Sequence, residues 1–360
     1  MSVTIAPTGT QDLKLGDFTT ERGDVLANAW LRYRVIGDVE AAQENGWILV
    51  FHALTGSADV EAWWGPLVAP GGALDVGRHA VVSANLLGGC YGSTSPITWQ
   101  ARHGRRFPRL SSLDLARAHL PLIKHLGVRR LSLVSGGSLG GMVALQWGRV
   151  STVPVDRLVV FAAPAATSAQ AIAWNAAQRM AIEADPAWQD GQYREGEGPT
   201  TGLAAARAIA MITYRSAAEF EERFSRQSTR VPGRFDADHY LRRQGDKLVA
   251  RFDAASYVAL MDAMDLHDVG DMRVAAAETA QRVGEVIGVG VDSDILYYPA
   301  EVQAWTDAYR AAGANARYVE IKSLYGHDAF LIEWEQVSQI LRERYSGQET
   351  LQRPRPAYMA

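Results

Sequence analysis

The segment Leu133-Val134-Ser135-Gly136-Gly137-Ser138-Leu139-Gly140-Gly141-Met142 leaves a chain few ways to fold around it. An aliphatic run ends in glycines that flank one serine. The spacing Gly136-x-Ser138-x-Gly140 is that of a nucleophile elbow, a serine on a sharp strand-to-helix turn. Side chains two residues before and two after such a serine would collide, and glycine removes the Cβ at both places. The serine hydroxyl then stands beside backbone N–H groups at the N-terminus of the next helix, a geometry suited to attack on an acyl carbon. The pattern alone occurs by chance in many chains. Its weight depends on a strand before it, a helix after it, and an acid and a histidine further along.

The neighbouring sequence supplies that setting. Short apolar runs at Trp47–Phe51, Ala80–Ala84, Leu131–Val134 and Arg157–Phe161 read as buried strands. Between them, Ser112–Leu126 carries apolar residues at helical spacing, and Leu139–Val150 continues from the elbow as a helix. Strand–helix alternation implies an α/β fold, a mostly parallel sheet with helices on both faces. From about Thr167 to Arg282 the chain turns alanine- and charge-rich and poor in strands. Helices are expected at Ser168–Ala184, Leu203–Tyr214, Ala217–Arg226, Ala237–Gln244 and Ser256–Met264. Such a block reads as an inserted helical cap, or lid. Alternation resumes with the strand Val286–Val291, the helix Glu301–Ala312, the strand Arg317–Ile321 and a last helix near Phe330–Tyr345. The resulting division is a core at 1–166, a cap at 167–284, a second core part at 285–347 and a tail at 348–360.

Composition narrows the partners. A net charge of −4 with no basic block argues against nucleic acid. The segment Met1–Gln11 is polar, and no apolar run has the length of a membrane span. A single cysteine, Cys90, excludes an intrachain disulfide and fits a reducing cytoplasm. No zinc-type spacing joins the histidines and the cysteine, so no metal is expected.

A serine hydroxyl needs a base, and the base needs an orienting acid. In the α/β-hydrolase order these follow as Ser, acid, His. Asp292 and Asp294 sit just past the Val286–Val291 strand, where open α/β sheets place their sites. Spacing alone leaves both open and modestly favours Asp294. His327 follows the next strand, in Leu324-Tyr325-Gly326-His327-Asp328-Ala329-Phe330. The tetrahedral oxyanion needs N–H donors. Leu139, directly after the nucleophile, provides one. The other is expected from the loop after Trp47–Phe51, with Leu54 as the candidate.

These residues carry a family likeness. His52-Ala53-Leu54-Thr55-Gly56, the Asn85–Thr94 loop, Gly136–Met142 and Gly326–Leu331 resemble the homoserine O-acetyltransferase family of the α/β-hydrolase superfamily. Within the cap, Ser168–Gln170, Gln178–Ile182, Ile212–Ser216 and Arg251–Tyr257 resemble it as well, so the likeness spans roughly residues 10–345. It implies Asp294 as the triad acid, Arg207 as the partner of an amino-acid carboxylate, and Asp328 as the partner of its ammonium. Taken alone, Arg207 reads as a solvated helix residue and Asp328 as a helix N-cap. Together they complement a zwitterion. The likeness further implies acetyl-CoA as co-substrate with no bound cofactor, L-homoserine as acceptor, a ping-pong route through acyl-Ser138, and a homodimer through cap helices. Cys90, in the glycine-rich loop, reads as a packing residue.

Three positions depart from the family pattern: Ser95 stands where glycine is common, and Val143 and Gln146 where Gln and Glu are common. They leave succinyl transfer to homoserine and acyl transfer to serine as alternatives. An esterase or thioesterase with the same triad is the competing reading from another class. A non-catalytic binding relative is a third.

Overall fold

The computed structural model describes residues 9–104 and 106–342. The segment 348–360, read from sequence as a tail, lies outside the described residues, as does the end of the last expected helix. Eight strands form the central sheet: β1 (Gly9–Thr19), β2 (Val25–Gly37), β3 (Trp47–Phe51), β4 (Ala80–Ala84), β5 (Leu131–Gly137), β6 (Val155–Phe161), β7 (Val283–Val291) and β8 (Ala316–Ile321), in the order β1-β2-β4-β3-β5-β6-β7-β8. Only β2 runs against the rest; it pairs antiparallel with both β1 and β4, and the other pairings are parallel. Every residue of β3 and of β4 is buried, as expected of parallel strands covered on both faces. The two faces divide each strand by alternation: Trp47, Leu49 and Phe51 join one core cluster, and Ile48 and Val50 join the other.

The β1–β2 hairpin was not anticipated from sequence. Its signal is the alternation in β2, where Leu31, Tyr33 and Val35 are buried and the residues between them are not. The stretch Ser112–Leu126 is two helices rather than one, Ser112–Arg117 and Leu120–His125. Pro121 explains the break, because proline is tolerated in a first turn but removes an N–H from a helix interior.

Cap helices run over Ala169–Glu183, Thr200–Tyr214, Ala217–Phe224, Asp236–Val249 and Ala254–Asp265. The insertion leaves and rejoins the core at one neck. Ala166 and Asp268 form a β-bridge, and the backbone bonds Thr167 N to His267 O (3.0 Å) and Val269 N to Ala165 O (2.9 Å) flank it. His267 closes the neck, with Nε2 donating to Pro164 O (2.9 Å) and Nδ1 accepting from Ser112 Oγ (2.7 Å). The boundary read from composition at 284 is therefore corrected to the neck at 268. The next helix, Met272–Ala280, packs against Leu139–Val150 and Pro299–Ala311, both core helices. Its alanine-rich composition resembles the cap, which is why the strand-poor block looked longer than the insertion is.

Candidate active site

The elbow is built by backbone contact. Ser138 holds φ 57° and ψ −126°, a conformation that costs an L-residue of order 1–3 kcal/mol and needs support from its surroundings. A Cβ on Gly136 would come 2.9 Å from the Phe51 carbonyl oxygen, and one on Gly140 would come 2.8 Å from that of His52. Glycine at both positions lets the start of the helix press against the end of β3. Ser138 N donates to Phe161 O (3.0 Å), and its own carbonyl accepts the first helical bond from Met142 N (3.0 Å). Leu139 opens the helix, where first-turn N–H groups have no intrahelical acceptor. Gly137 has a different use: a Cβ there would collide with the Phe330 ring, 2.5 Å from its Cδ2, so glycine lets the segment after His327 close onto the elbow.

His327 Nδ1 donates to Asp294 Oδ2 at 2.7 Å, with both side chains almost fully buried. Asp294 is itself held: its Oδ1 accepts from Leu296 N (2.8 Å) and Tyr297 N (3.1 Å). Asp292, the other candidate from spacing, accepts from Ser323 N (2.9 Å) and so braces the end of β8 instead. Ser293 Oγ joins the two loops, donating to Ser323 O (2.6 Å) and accepting from Gly326 N (3.1 Å). His327 Nε2 is buried and makes no protein hydrogen bond among the described residues. Burial disfavours the charged imidazole, but the Asp294 charge and hydrogen bond, with Asp328, more than offset it, so the His327 pKa is raised. Tyr214, Tyr297 and Phe330 surround the ring at 5.7, 5.3 and 5.8 Å between centroids.

Ser138 and His327 line one cavity of about 200 Å³. Leu54, Arg207 and Asp328 also line it, as do Thr55, Trp63, Tyr214, Arg251 and Phe330. Arg207 lies over the Tyr214 ring, 5.3 Å from its centroid. Of the residues predicted from sequence, Asp294 and Leu139 lie outside this lining: Asp294 sits behind His327, and Leu139 would offer only a backbone N–H from behind Ser138.

The loop carrying Leu54 is braced from several sides. His52 Nδ1 donates to Ala53 O (2.8 Å) and Nε2 accepts from Leu86 N (3.1 Å). Accepting at Nε2 requires a neutral ring, and burial lowers the pKa of His52 to about 4. Arg251, from the cap, donates through Nη1 to Thr55 O (2.7 Å) and Tyr91 Oη (2.6 Å), and through Nη2 to Thr55 Oγ1 (3.3 Å). Arg251 and Tyr214 belong to motifs quoted above, yet nothing local in the sequence assigned them a contact.

The departures have structural reasons. Ser95 caps the helix Pro96–His103 in a reciprocal capping box with Thr98 and does not line the cavity. Gln146 Nε2 donates to Asp268 O (2.9 Å), tying the elbow helix to the cap neck. Val143 is buried core. Burial pushes the Cys90 thiol up to about 11, which leaves little nucleophilic thiolate near neutral pH.

Known proteins share the fold and, at the level of sequence, the family. The model of the alpha/beta hydrolase fold matches residues 46–256. Among solved structures, esterase E22 superposes with a TM-score of 0.83 at 19% identity, covering 93% of this chain and 99% of its own. The homoserine O-acetyltransferase of Bacillus anthracis superposes at 0.82 with 22% identity, covering 95% and 99%. At such identities the likeness speaks for the fold, which hydrolysis and acyl transfer share. Sequence discriminates further: the homoserine O-acetyltransferase of Thermobifida fusca (strain YX) is 43% identical over 345 residues, 90% of each chain. With that identity across nearly its whole length, the chain belongs to the homoserine O-acetyltransferase family of the α/β-hydrolase fold.

Proposed function

We infer that the protein transfers an acetyl group from acetyl-CoA to the hydroxyl of L-homoserine by way of acetyl-Ser138. The observation that carries this reading is a single cavity lined by Ser138, His327, Arg207 and Asp328. It joins an acyl-transfer nucleophile and its base to opposite charges suited to a zwitterionic amino acid. At about 200 Å³ it is smaller than the roughly 300–1,000 Å³ usual for larger ligands, in keeping with a short acyl group and a small acceptor.

In the first half-reaction His327 Nε2 takes the Ser138 proton as Oγ attacks the thioester carbon. The oxyanion is held by the Leu54 and Leu139 N–H groups. The C–S bond breaks, the imidazolium returns its proton to the sulfur, and CoA leaves as a thiol. In the second, Arg207 holds the homoserine carboxylate and Asp328 its ammonium. His327 takes the γ-hydroxyl proton as that oxygen attacks the ester, and the proton passes to Ser138 Oγ as O-acetyl-homoserine is released. Asp294 orients the imidazole and stabilises its cation without taking the proton. Water competes for acetyl-Ser138, and the cap that covers the cavity limits its access. No step needs a metal.

The reading extends to a cytoplasmic protein and to a homodimer formed through the cap. The first is supported by the lone cysteine; among the described residues no helix is long and apolar enough to cross a membrane. The second is supported by Ile172, Met180 and Ile212, exposed apolar residues on two cap helices. The test is a matrix assay of acetyl-CoA and succinyl-CoA against homoserine and serine. The acetyl–homoserine pair is expected to give the highest kcat/KM. A higher value for another pair would reassign the substrates, and fast CoA release without any amino acid would favour a thioesterase.

A further inference from the structure

Asp328 does not stand free in the cavity. Its Oδ2 lies 3.3 Å from Arg215 Nη2, in an ion pair whose side chains are only 15% and 16% exposed. Arg215 is anchored a second time, with Nη1 donating to Glu219 Oε1 (3.1 Å) and Oε2 (3.3 Å). Glu219 sits in the first turn of the helix Ala217–Phe224, and its backbone N–H is capped by Ser216 Oγ (3.0 Å). The Ser216 hydroxyl also donates to Leu324 O, on the loop that carries His327. Gly326 seals the contact: at φ +65° its Cα packs so closely that a Cβ would fall 2.8 Å from Ser216 N and 3.0 Å from Tyr214 O. Arg215 directly follows the helix Thr200–Tyr214, which carries Arg207. The two charges facing the acceptor therefore come from distant parts of the chain, yet the contacts around residues 214–219 fasten one to the other.

We propose that Arg215 is a positioning residue for the amino-acid acceptor, acting through Asp328. Its guanidinium occupies Asp328 Oδ2 and so leaves Oδ1 as the oxygen presented to a substrate ammonium. It also fixes the distance from that oxygen to Arg207, because both depend on one helix end. Without Arg215 the carboxylate is free to turn toward other cations of the cavity, Arg207 among them, and the complement to a zwitterion collapses. A guanidinium suits the task because its rigid fork serves two carboxylates at once. In the proposed thioester half-reaction neither Arg207 nor Asp328 holds a substrate group, and Asp328 is the last of the influences on His327, so the larger effect falls on the acceptor step. This rests on the acceptor reading of Asp328 given above.

The test compares Arg215→Met, Arg215→Lys, Asp328→Asn and the double variant R215M/D328N in separate half-reactions. Acetyl-Ser138 formation from acetyl-CoA is followed by intact mass and CoA release, and transfer is followed against homoserine concentration. R215M is expected to form acetyl-Ser138 at a rate within about twofold of the parent and to raise the homoserine KM by about tenfold or more. R215K should recover part of that loss. Because Arg215 acts through Asp328, the double variant should be no worse than D328N alone. Equal losses in both half-reactions, additive losses in the double variant, or an unchanged homoserine KM would each overturn the proposal. If D328N itself leaves the homoserine KM unchanged, the acceptor reading of Asp328 fails; a normal D328N loss beside a silent R215M rejects the Arg215 role alone. Should R215M not fold, as loss of one partner from a buried pair can cause, R215K and Glu219→Gln carry the same comparison. Each is expected to raise the homoserine KM about threefold with acylation unchanged; an unchanged KM overturns the proposal.

Discussion

Ser138 and Asp328 line the same cavity but are held by different kinds of structure. Around Ser138 the constraint is steric and made by backbone: Gly136 and Gly140 admit the Phe51 and His52 carbonyls at the end of the neighbouring strand, and the serine between them holds a strained φ of 57°. Around Asp328 the constraint is electrostatic and long-range, an arginine from the cap side paired with a carboxylate on the histidine loop. The surroundings of Ser138 are thus fixed by backbone geometry, and those of Asp328 by side-chain charges. In the proposed reaction the first serves attack and the second serves the acceptor. A fold can keep its nucleophile and change its acceptor.

The comparison can be broken most severely at the nucleophile. Ser138→Ala should abolish turnover and acetyl labelling, a loss on the order of 10⁶-fold for triad serines, read by intact mass and product formation. Retained turnover would remove Ser138 from its role. Asp294→Asn comes next, with a loss of about 10⁴-fold in acylation. It also carries a pH signature. Asp294 raises the His327 pKa against the effect of burial, and the base works in its neutral form. Losing that carboxylate should move the acid limb of the acylation profile to lower pH, measured by CoA release across pH. A limb that stays in place would mean that another group titrates.

Two smaller effects sharpen the contrast between the regions. Arg207→Ala should raise the homoserine KM by roughly 10- to 100-fold, the worth of a charge-assisted contact, while acetyl-Ser138 still forms. Equal loss in both half-reactions would reject its carboxylate role. Arg251→Met should do the reverse, since it releases Thr55 beside Leu54. Removing an oxyanion donor costs about 10²–10³-fold, and loosening its loop should cost less, about tenfold in acylation, with the homoserine KM little changed. A fall in homoserine affinity alone would place Arg251 with the acceptor instead.

Legibility in the sequence followed the same divide. The strands β3 and β4 and the elbow helix Leu139–Val150 were readable to the residue because burial on both faces imposes unbroken apolar runs, and close packing imposes glycine. The β1–β2 hairpin was missed, although β2 alternates, because half its residues face outward and dilute the apolar signal. The cap boundary was placed too late because Met272–Ala280 has cap-like composition but packs on the core. Spacing favours Asp294 over Asp292 only modestly, because both follow one strand; the structure separates them, with Asp294 reaching His327 and Asp292 reaching Ser323.

By itself the sequence determined the elbow, the order of serine, acid and histidine, and the alternation that makes the sheet. The elbow and the alternation follow from rules legible in short windows, φ restrictions and hydrophobic period, and the order follows from which strand each residue comes after. Only the tertiary structure decided which residues brace the cavity from behind its walls: Arg251 on Thr55, His52 on Leu86, Arg215 on Asp328. Those pairs join residues far apart in the chain, and a charge or a hydroxyl carries no mark of its distant partner until folding brings the two within hydrogen-bond reach.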